Sequence, residues 1–194
     1  MKQAFVAVAL ILVATLSGAA DKIPAHPHIE VVTTEGTFKM ELVTGEAPHT
    51  VANFLRLVDA GFYDGLIFHR VISGFMIQTG GFTPGFKRKE DEQTVPNESG
   101  NAMSNVRGTL AMARTNDPHS ANSQFFINVA DNSRLDPQKD PVTGRWGYTV
   151  FGYVFEGMDV VDKIALARTA QQGEHANAPV IPIVIKSMAQ ITYN

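Results

Sequence analysis

Residues 28–43, "HIEVVTTEGTFKMELV", alternate apolar and polar side chains on either side of Glu35-Gly36. A period of two puts successive side chains on opposite faces of a strand, so this stretch predicts an antiparallel hairpin. The period then changes. In residues 47–65, Val51, Phe54, Leu55 and Val58 fall at helical spacing, and Gly61 is placed to stop the helix. Residues 66–79 predict a strand pair broken at Ser73-Gly74. Residues 108–114, 124–130 and 148–154 read as strands, 157–166 as a short helix, and 180–192 as a last strand with Pro182 near its start or edge. The stretches 80–107 and 131–147 are rich in polar and turn-forming residues and read as loops, of the length that usually carries function. Strands with two interspersed helices do not form a βαβ alternation. The prediction is a mainly β fold: a mostly antiparallel, closed sheet or barrel with helices covering its open ends.

Composition narrows this to one globular domain. The chain has 194 residues, 44% hydrophobic and 18% charged, enough for a sizeable core. The net charge is -3 without a basic block, which argues against nucleic acid or an anionic membrane as partner. Cysteine is absent, so the core alone must hold the fold, and thiol chemistry is excluded. Residues 1–20 have one lysine, an apolar run from Ala4 to Leu16, then Ser17, Gly18, Ala19 and Ala20. That is the layout of a secretory signal peptide, cleaved after Ala20 or Ala19; an uncleaved anchor is the alternative. The expected organisation is a signal at 1–20, an extended lead-in at 21–27 and a domain at 28–194. With the absence of cysteine, this favours a bacterial periplasm.

Familiar catalytic motifs are missing. No stretch matches GxSxG, HExxH, GxxxxGK[ST] or GxGxxG. The six histidines are scattered; His26 and His28 suit a solvated lead-in better than a metal site. His69 points to the opposite strand face from Arg70 and reads as structural. Arg70 itself stands out. It lies in "FHRVISGFMIQTGG" (68–81) among Phe68, Val71, Ile72, Phe75, Met76 and Ile77, and a charge in apolar surroundings rarely lacks a partner or a task.

That segment resembles the central signature of the cyclophilins, the peptidyl-prolyl cis-trans isomerases. "RGTLAMARTNDPHSANSQFFINV" (107–129) resembles their second signature, and "VANFLRLVDAGFYDGLIFHRV" and "YTVFGYVFEGMDVVDKI" are similar to the flanking family segments. Four collinear segments over residues 28 to 190 make the resemblance specific, and "RGTLAMART" with the export signal is most similar to bacterial periplasmic members. The resemblance implies a closed eight-stranded antiparallel barrel capped by two α-helices. It implies Arg70 as the catalytic arginine and Gln78 as the residue that holds it. Phe75, Met76, Phe126 and Leu135 correspond to the family's proline pocket, Ala113 and Arg114 to the strand end that pairs with substrate backbone, and Gln124 and Tyr148 to further substrate contacts. Alternation puts Met76 with Gln78, and Gln124 with Phe126, leaving Phe125 and Ile127 for the core.

The implied reaction, rotation about an X–Pro bond, makes and breaks no covalent bond, so no cofactor or metal is expected. The expected partners are proline-containing unfolded or extended polypeptides, and the expected state is a monomer. Arg134 stands where many eukaryotic members carry a tryptophan that helps bind cyclosporin, so cyclosporin binding is expected to be weak. Trp146 could flank the pocket or cover the barrel. A non-catalytic chaperone or peptide-binding module using the same groove is the alternative function.

Overall fold

The computed structural model describes residues 26–138 and 144–192. The expected signal at 1–20 and residues 21–25 of the lead-in lie outside them. The strands are β1 (His28–Thr33), β2 (Thr37–Leu42), β3 (Arg70–Ile72), β4 (Met76–Thr79), β5 (Thr109–Met112), β6 (Phe125–Asn128), β7 (Val150–Glu156), β8 (Thr169–Gln172), β9 (His175–Pro179) and β10 (Ile185–Ile191). The helices are α1 (Pro48–Asp59) and α2 (Met158–Ala165). Eight strands form one sheet in the order β10-β1-β2-β7-β5-β6-β4-β3, and every neighbouring pair is antiparallel.

The sheet is strongly curled but not closed, which corrects the expected closed barrel. Its ends, β3 and β10, do not pair as strands. β3 is only three residues long, and β9 packs beside it. The seam is instead stitched by the segment before β3. Phe68 N–H donates to Ile183 O at 3.0 Å, Ile185 N–H to Leu66 O at 2.8 Å, and Gly65 N–H to Ile185 O at 2.8 Å. β8 and β9 form a separate hairpin that the hydrophobic pattern does not reveal. Its sequence, "TAQQGEHANAP", offers no apolar alternation, and only two of its eleven residues, Ala178 and Pro179, are buried.

The concave face of the sheet is the core. Ile29, Val31, Phe38, Met40, Leu110, Phe125, Ile127, Phe151 and Ile185 are buried there. Helix α1 buries Val51, Phe54, Leu55 and Val58, the residues at helical spacing, and packs against β10. Helix α2 buries Val161, Ile164 and Ala165 against β2, β3 and β4. Gly61 follows the end of α1 with φ of 61°, the left-handed conformation that glycine adopts without strain.

Helix α1 has no side-chain cap of its own. Its orphan N–H groups are met by Glu98, from the long 80–107 loop. The Glu98 carboxylate accepts from His49 N–H at 3.1 Å, Thr50 N–H at 2.9 Å and the Thr50 hydroxyl at 2.7 Å. A carboxylate at a helix N-terminus satisfies donors and complements the dipole. Glu98→Ala is expected to lower stability by about 1–3 kcal/mol, read by denaturant unfolding.

His69 is buried, its Nδ1 has no partner, and its ring meets the edge of Phe82 at 4.7 Å. Burial, then the nearby His175 and Arg70, lower its pKa from 6.5 to about 4. A depressed histidine pKa means that the unfolded chain takes up the proton first. Stability is therefore complete above pH 6.5 and falls as the pH drops toward 4, by about 3 kcal/mol at most. Urea unfolding across that window is expected to show this slope, and His69→Phe is expected to flatten it.

Candidate active site

The convex face of the sheet carries a second apolar cluster. Met76, Ala111, Phe126 and Val150 are buried in it, and Phe75, Ala113, Leu135 and Tyr148 pack against it. Alternation explains the division: Ile77, Phe125 and Ile127 point to the core, and their neighbours Met76 and Phe126 point outward. The cluster floors a cavity of about 180 Å³ lined by Arg70, Phe75, Met76, Gln78, Ala113, Arg114, Phe126, Leu135 and Tyr148. Nine of the ten residues that the sequence singles out are thus brought together. The tenth, Gln124, lines the adjoining cavity with Gln78, Ala113 and Arg114.

Arg70 stands at the lip of the pocket on the edge strand β3, paired in register with Gln78 on β4. Its side chain is exposed; of its apolar neighbours in sequence, Phe68, Val71 and Ile77 lie in the core, and Phe75 and Met76 form the wall beside it. Its guanidinium donates to Gln78 Oε1 at 3.3 Å and lies 3.9 Å from Met76 Sδ. Gln78 Nε2 in turn donates to Gln124 Oε1 at 3.1 Å. This relay fixes the direction of the guanidinium while leaving several of its five N–H groups free for a ligand. Gly80, with φ of 90°, ends β4 close under β6; a Cβ there would lie 2.5 Å from Ser123 O.

The opposite wall is held from behind by a buried polar network. Asn132 Nδ2 donates to Phe75 O and to Asn128 Oδ1, both at 2.8 Å, and Asn128 Nδ2 donates to Thr109 Oγ1 at 2.9 Å. Asp136 accepts from Asn105 N–H at 2.8 Å, Asn105 Nδ2 at 2.9 Å and Ser104 Oγ. Burial alone raises the Asp136 pKa, but the bonds from Ser104 and Asn105 outweigh it and hold the carboxyl below its ordinary value. These contacts fix the 3-10 turn Ser133–Leu135, which presents Leu135; Leu135 O accepts from Tyr148 N–H at 2.9 Å. Ala113 N–H already donates to Gln124 O at 3.0 Å. Main-chain pairing of a peptide there must use the Ala113 carbonyl or the backbone of Arg114.

Several contributors escape sequence reasoning. Asn97 Nδ2 donates to Pro118 O and Gly147 O, and Ser99 Oγ accepts from Gly147 N–H at 3.1 Å. The 80–107 loop thereby supports the segment that carries Trp146 and Tyr148. Trp146 is 46% exposed, meets His119 edge-on at 5.3 Å, and lines a cavity next to the pocket. It flanks the site and does not cover the sheet. No signal in the sequence joins these distant segments, since each contact is between side chain and backbone across loops.

A curled eight-stranded antiparallel sheet with two helices and an apolar pocket under an oriented arginine defines a cyclophilin-type isomerase architecture. Residues 28–190 match the family described as "Cyclophilin type peptidyl-prolyl cis-trans isomerase/CLD", and the chain belongs to this family. It is 49% identical over 156 residues to peptidyl-prolyl cis-trans isomerase B of Escherichia coli, covering 80% of this chain and 94% of that one. It is 45% identical over 187 residues to peptidyl-prolyl cis-trans isomerase A of Dickeya dadantii, covering 96% of each. A solved cyclophilin-type isomerase of Cryptosporidium parvum, 24% identical, shares the fold with a TM-score of 0.72 over 87% of this chain and 99% of that one.

Proposed function

We propose that the protein accelerates cis–trans rotation of X–Pro bonds in extended, incompletely folded exported polypeptides. Amide resonance sets a barrier of about 18–20 kcal/mol, and uncatalysed exchange takes about tens to hundreds of seconds. In the twisted amide the prolyl nitrogen regains its lone pair and becomes a hydrogen-bond acceptor. A donor fixed at that point binds the transition state and neither planar form. The observation that carries the reading is the Arg70 guanidinium, oriented by Gln78 at the lip of a pocket sized for one small ring. Phe75, Met76, Phe126, Leu135 and Tyr148 hold the ring, Ala113 and Arg114 pair with the peptide backbone, and Gln124 steadies Gln78. No nucleophile, metal or cofactor has a role in such a rotation.

The test is exchange of an Ala-Pro peptide with the mature protein. Acceleration supports an isomerase. Binding without acceleration would make the groove a chaperone or peptide-binding module. Gln78→Ala, which frees Arg70 without removing it, is expected to lower kcat/KM by about tenfold, the low end for disturbing a preorganised donor. The signal-like segment at 1–20 supports a periplasmic location, to be checked by cell fractionation; processing would leave a soluble monomer with no nucleic-acid or membrane partner. Arg134 lies over the Phe75 ring at 4.6 Å, in the place of the family's tryptophan, and supports weak cyclosporin binding, to be read as a raised inhibitory concentration.

A further inference from the structure

The arginines of this chain are not distributed like its other charges. There are eight, in a protein of net charge -3. Arg56, Arg88 and Arg107 pair with Asp91, Glu90 and Asp162. Among the described residues, the other five have no carboxylate partner. Four of those five, Arg70, Arg114, Arg134 and Arg145, surround the proline pocket; the fifth, Arg168, lines a separate cavity with Glu35 and Lys163.

The four are positioned without being neutralised by any carboxylate among the described residues. Arg114 donates to Gly147 O at 3.2 Å, Thr115 O at 2.9 Å and Trp146 O at 2.8 Å, and its guanidinium lies 4.7 Å from the Tyr148 ring centre. Arg145 donates to Arg134 O, and its own carbonyl accepts from Gln138 N–H at 3.0 Å. Carbonyls and aromatic faces fix a guanidinium but carry no net charge to cancel it. Among the described residues, the carboxylates close in sequence are engaged elsewhere: Asp136 with Ser104 and Asn105, Asp117 with His119 N–H, and Asp131 with Arg107 N–H. Beside the proline pocket, and sharing Arg114, Leu135 and Tyr148 with it, lies a second cavity of about 560 Å³. It is lined also by Arg145 and Trp146. The three shared residues put the second cavity within reach of a residue flanking a proline that fills the first.

We propose that this second cavity is a specificity subsite for a carboxylate side chain, so that the protein prefers client prolines with Asp or Glu close by. The inference rests on the isomerase reading above. The groups are solvated, so the selectivity is modest and falls with salt. The experiment walks a single Glu, Ala or Lys through the positions flanking an Ala-Pro bond and measures kcat/KM for each peptide. At the positions facing Arg145, Glu peptides are expected to exceed Lys peptides by about three- to tenfold. The ratio is expected to shrink toward one at high salt and in the double variant R134Q/R145Q, and to persist in Arg168→Gln. The salt series with the wild type needs no variant to fold. Equal rates for Glu, Ala and Lys peptides at every position would overturn the subsite while leaving the isomerase intact. So would a ratio that survives in R134Q/R145Q. Failure to accelerate any peptide would remove the isomerase reading and the subsite together.

Discussion

Arg70→Ala is expected to lower kcat for an Ala-Pro peptide by about a hundredfold or more, with peptide affinity nearly unchanged. The reason lies in timing. The prolyl nitrogen accepts a hydrogen bond only while the amide is twisted, so the lost donor affects the transition state and neither ground state. The fold is expected to survive, because the Arg70 side chain is exposed on an edge strand and Gln78 keeps its bond to Gln124. Arg70→Lys is expected to recover only part of the rate. An ammonium on a flexible stem restores charge but not the planar, oriented fork. Line-shape or exchange NMR on the peptide separates rate from affinity in one sample. Full activity in Arg70→Ala would mean that the apolar pocket catalyses by itself, and Arg70 would then serve only the charge pattern around it.

Phe54→Ala is expected to cost about 3–5 kcal/mol, the range for emptying a buried aromatic site. Phe54 is 1% exposed. Its ring lies 5.2 Å from Tyr63, 5.2 Å from Phe125 and 5.1 Å from Phe151. It therefore joins α1 to β6 and β7 through one cluster, and aromatic pairs of this kind contribute beyond the area they bury. Tyr63 has nowhere to move, since its hydroxyl donates to Ser123 O at 3.0 Å in the interior. A loss of this size is a large part of an ordinary domain stability of about 5–15 kcal/mol. Thermal and denaturant unfolding would measure it. A change below about 1 kcal/mol would mean that the cluster collapses to fill the space.

These two residues were legible in different ways. Phe54 follows from spacing alone: with Val51, Leu55 and Val58 it marks one face of a helix, and that face is buried. Phe126 and Phe125 are assigned to opposite faces by simple alternation, and the structure agrees. Arg70 was legible as an anomaly, but its task came from resemblance to a family, because one arginine among apolar neighbours has many explanations. What stayed hidden was set by contacts between distant segments. Glu98 looks like any loop acid until its carboxylate is found on the N-terminus of α1. The β8–β9 hairpin has no apolar face to betray it. Closure of the sheet depends on how β3 and β10 meet, and no local period encodes that. The cationic surround of the pocket escaped for the same reason, since Arg114 sits in one segment, Arg134 and Arg145 in another, and only the fold makes them neighbours.

β1 lies between β2 and β10, so the first strand among the described residues is flanked by the last. A chain that emerges amino-terminus first, from a ribosome or through a membrane pore, can form the β1–β2 hairpin early. It cannot cover the other edge of β1 until Ile185–Ile191 has appeared, more than 150 residues later. The same late segment supplies Ile183 and Ile185, which stitch the seam beside Arg70. Pairing across such a separation in sequence is slow to form. Until it does, β1 offers a bare strand edge of the kind that invites pairing with other chains. During its own biogenesis this protein thus passes through the condition of the unfinished polypeptides on which it is proposed to act.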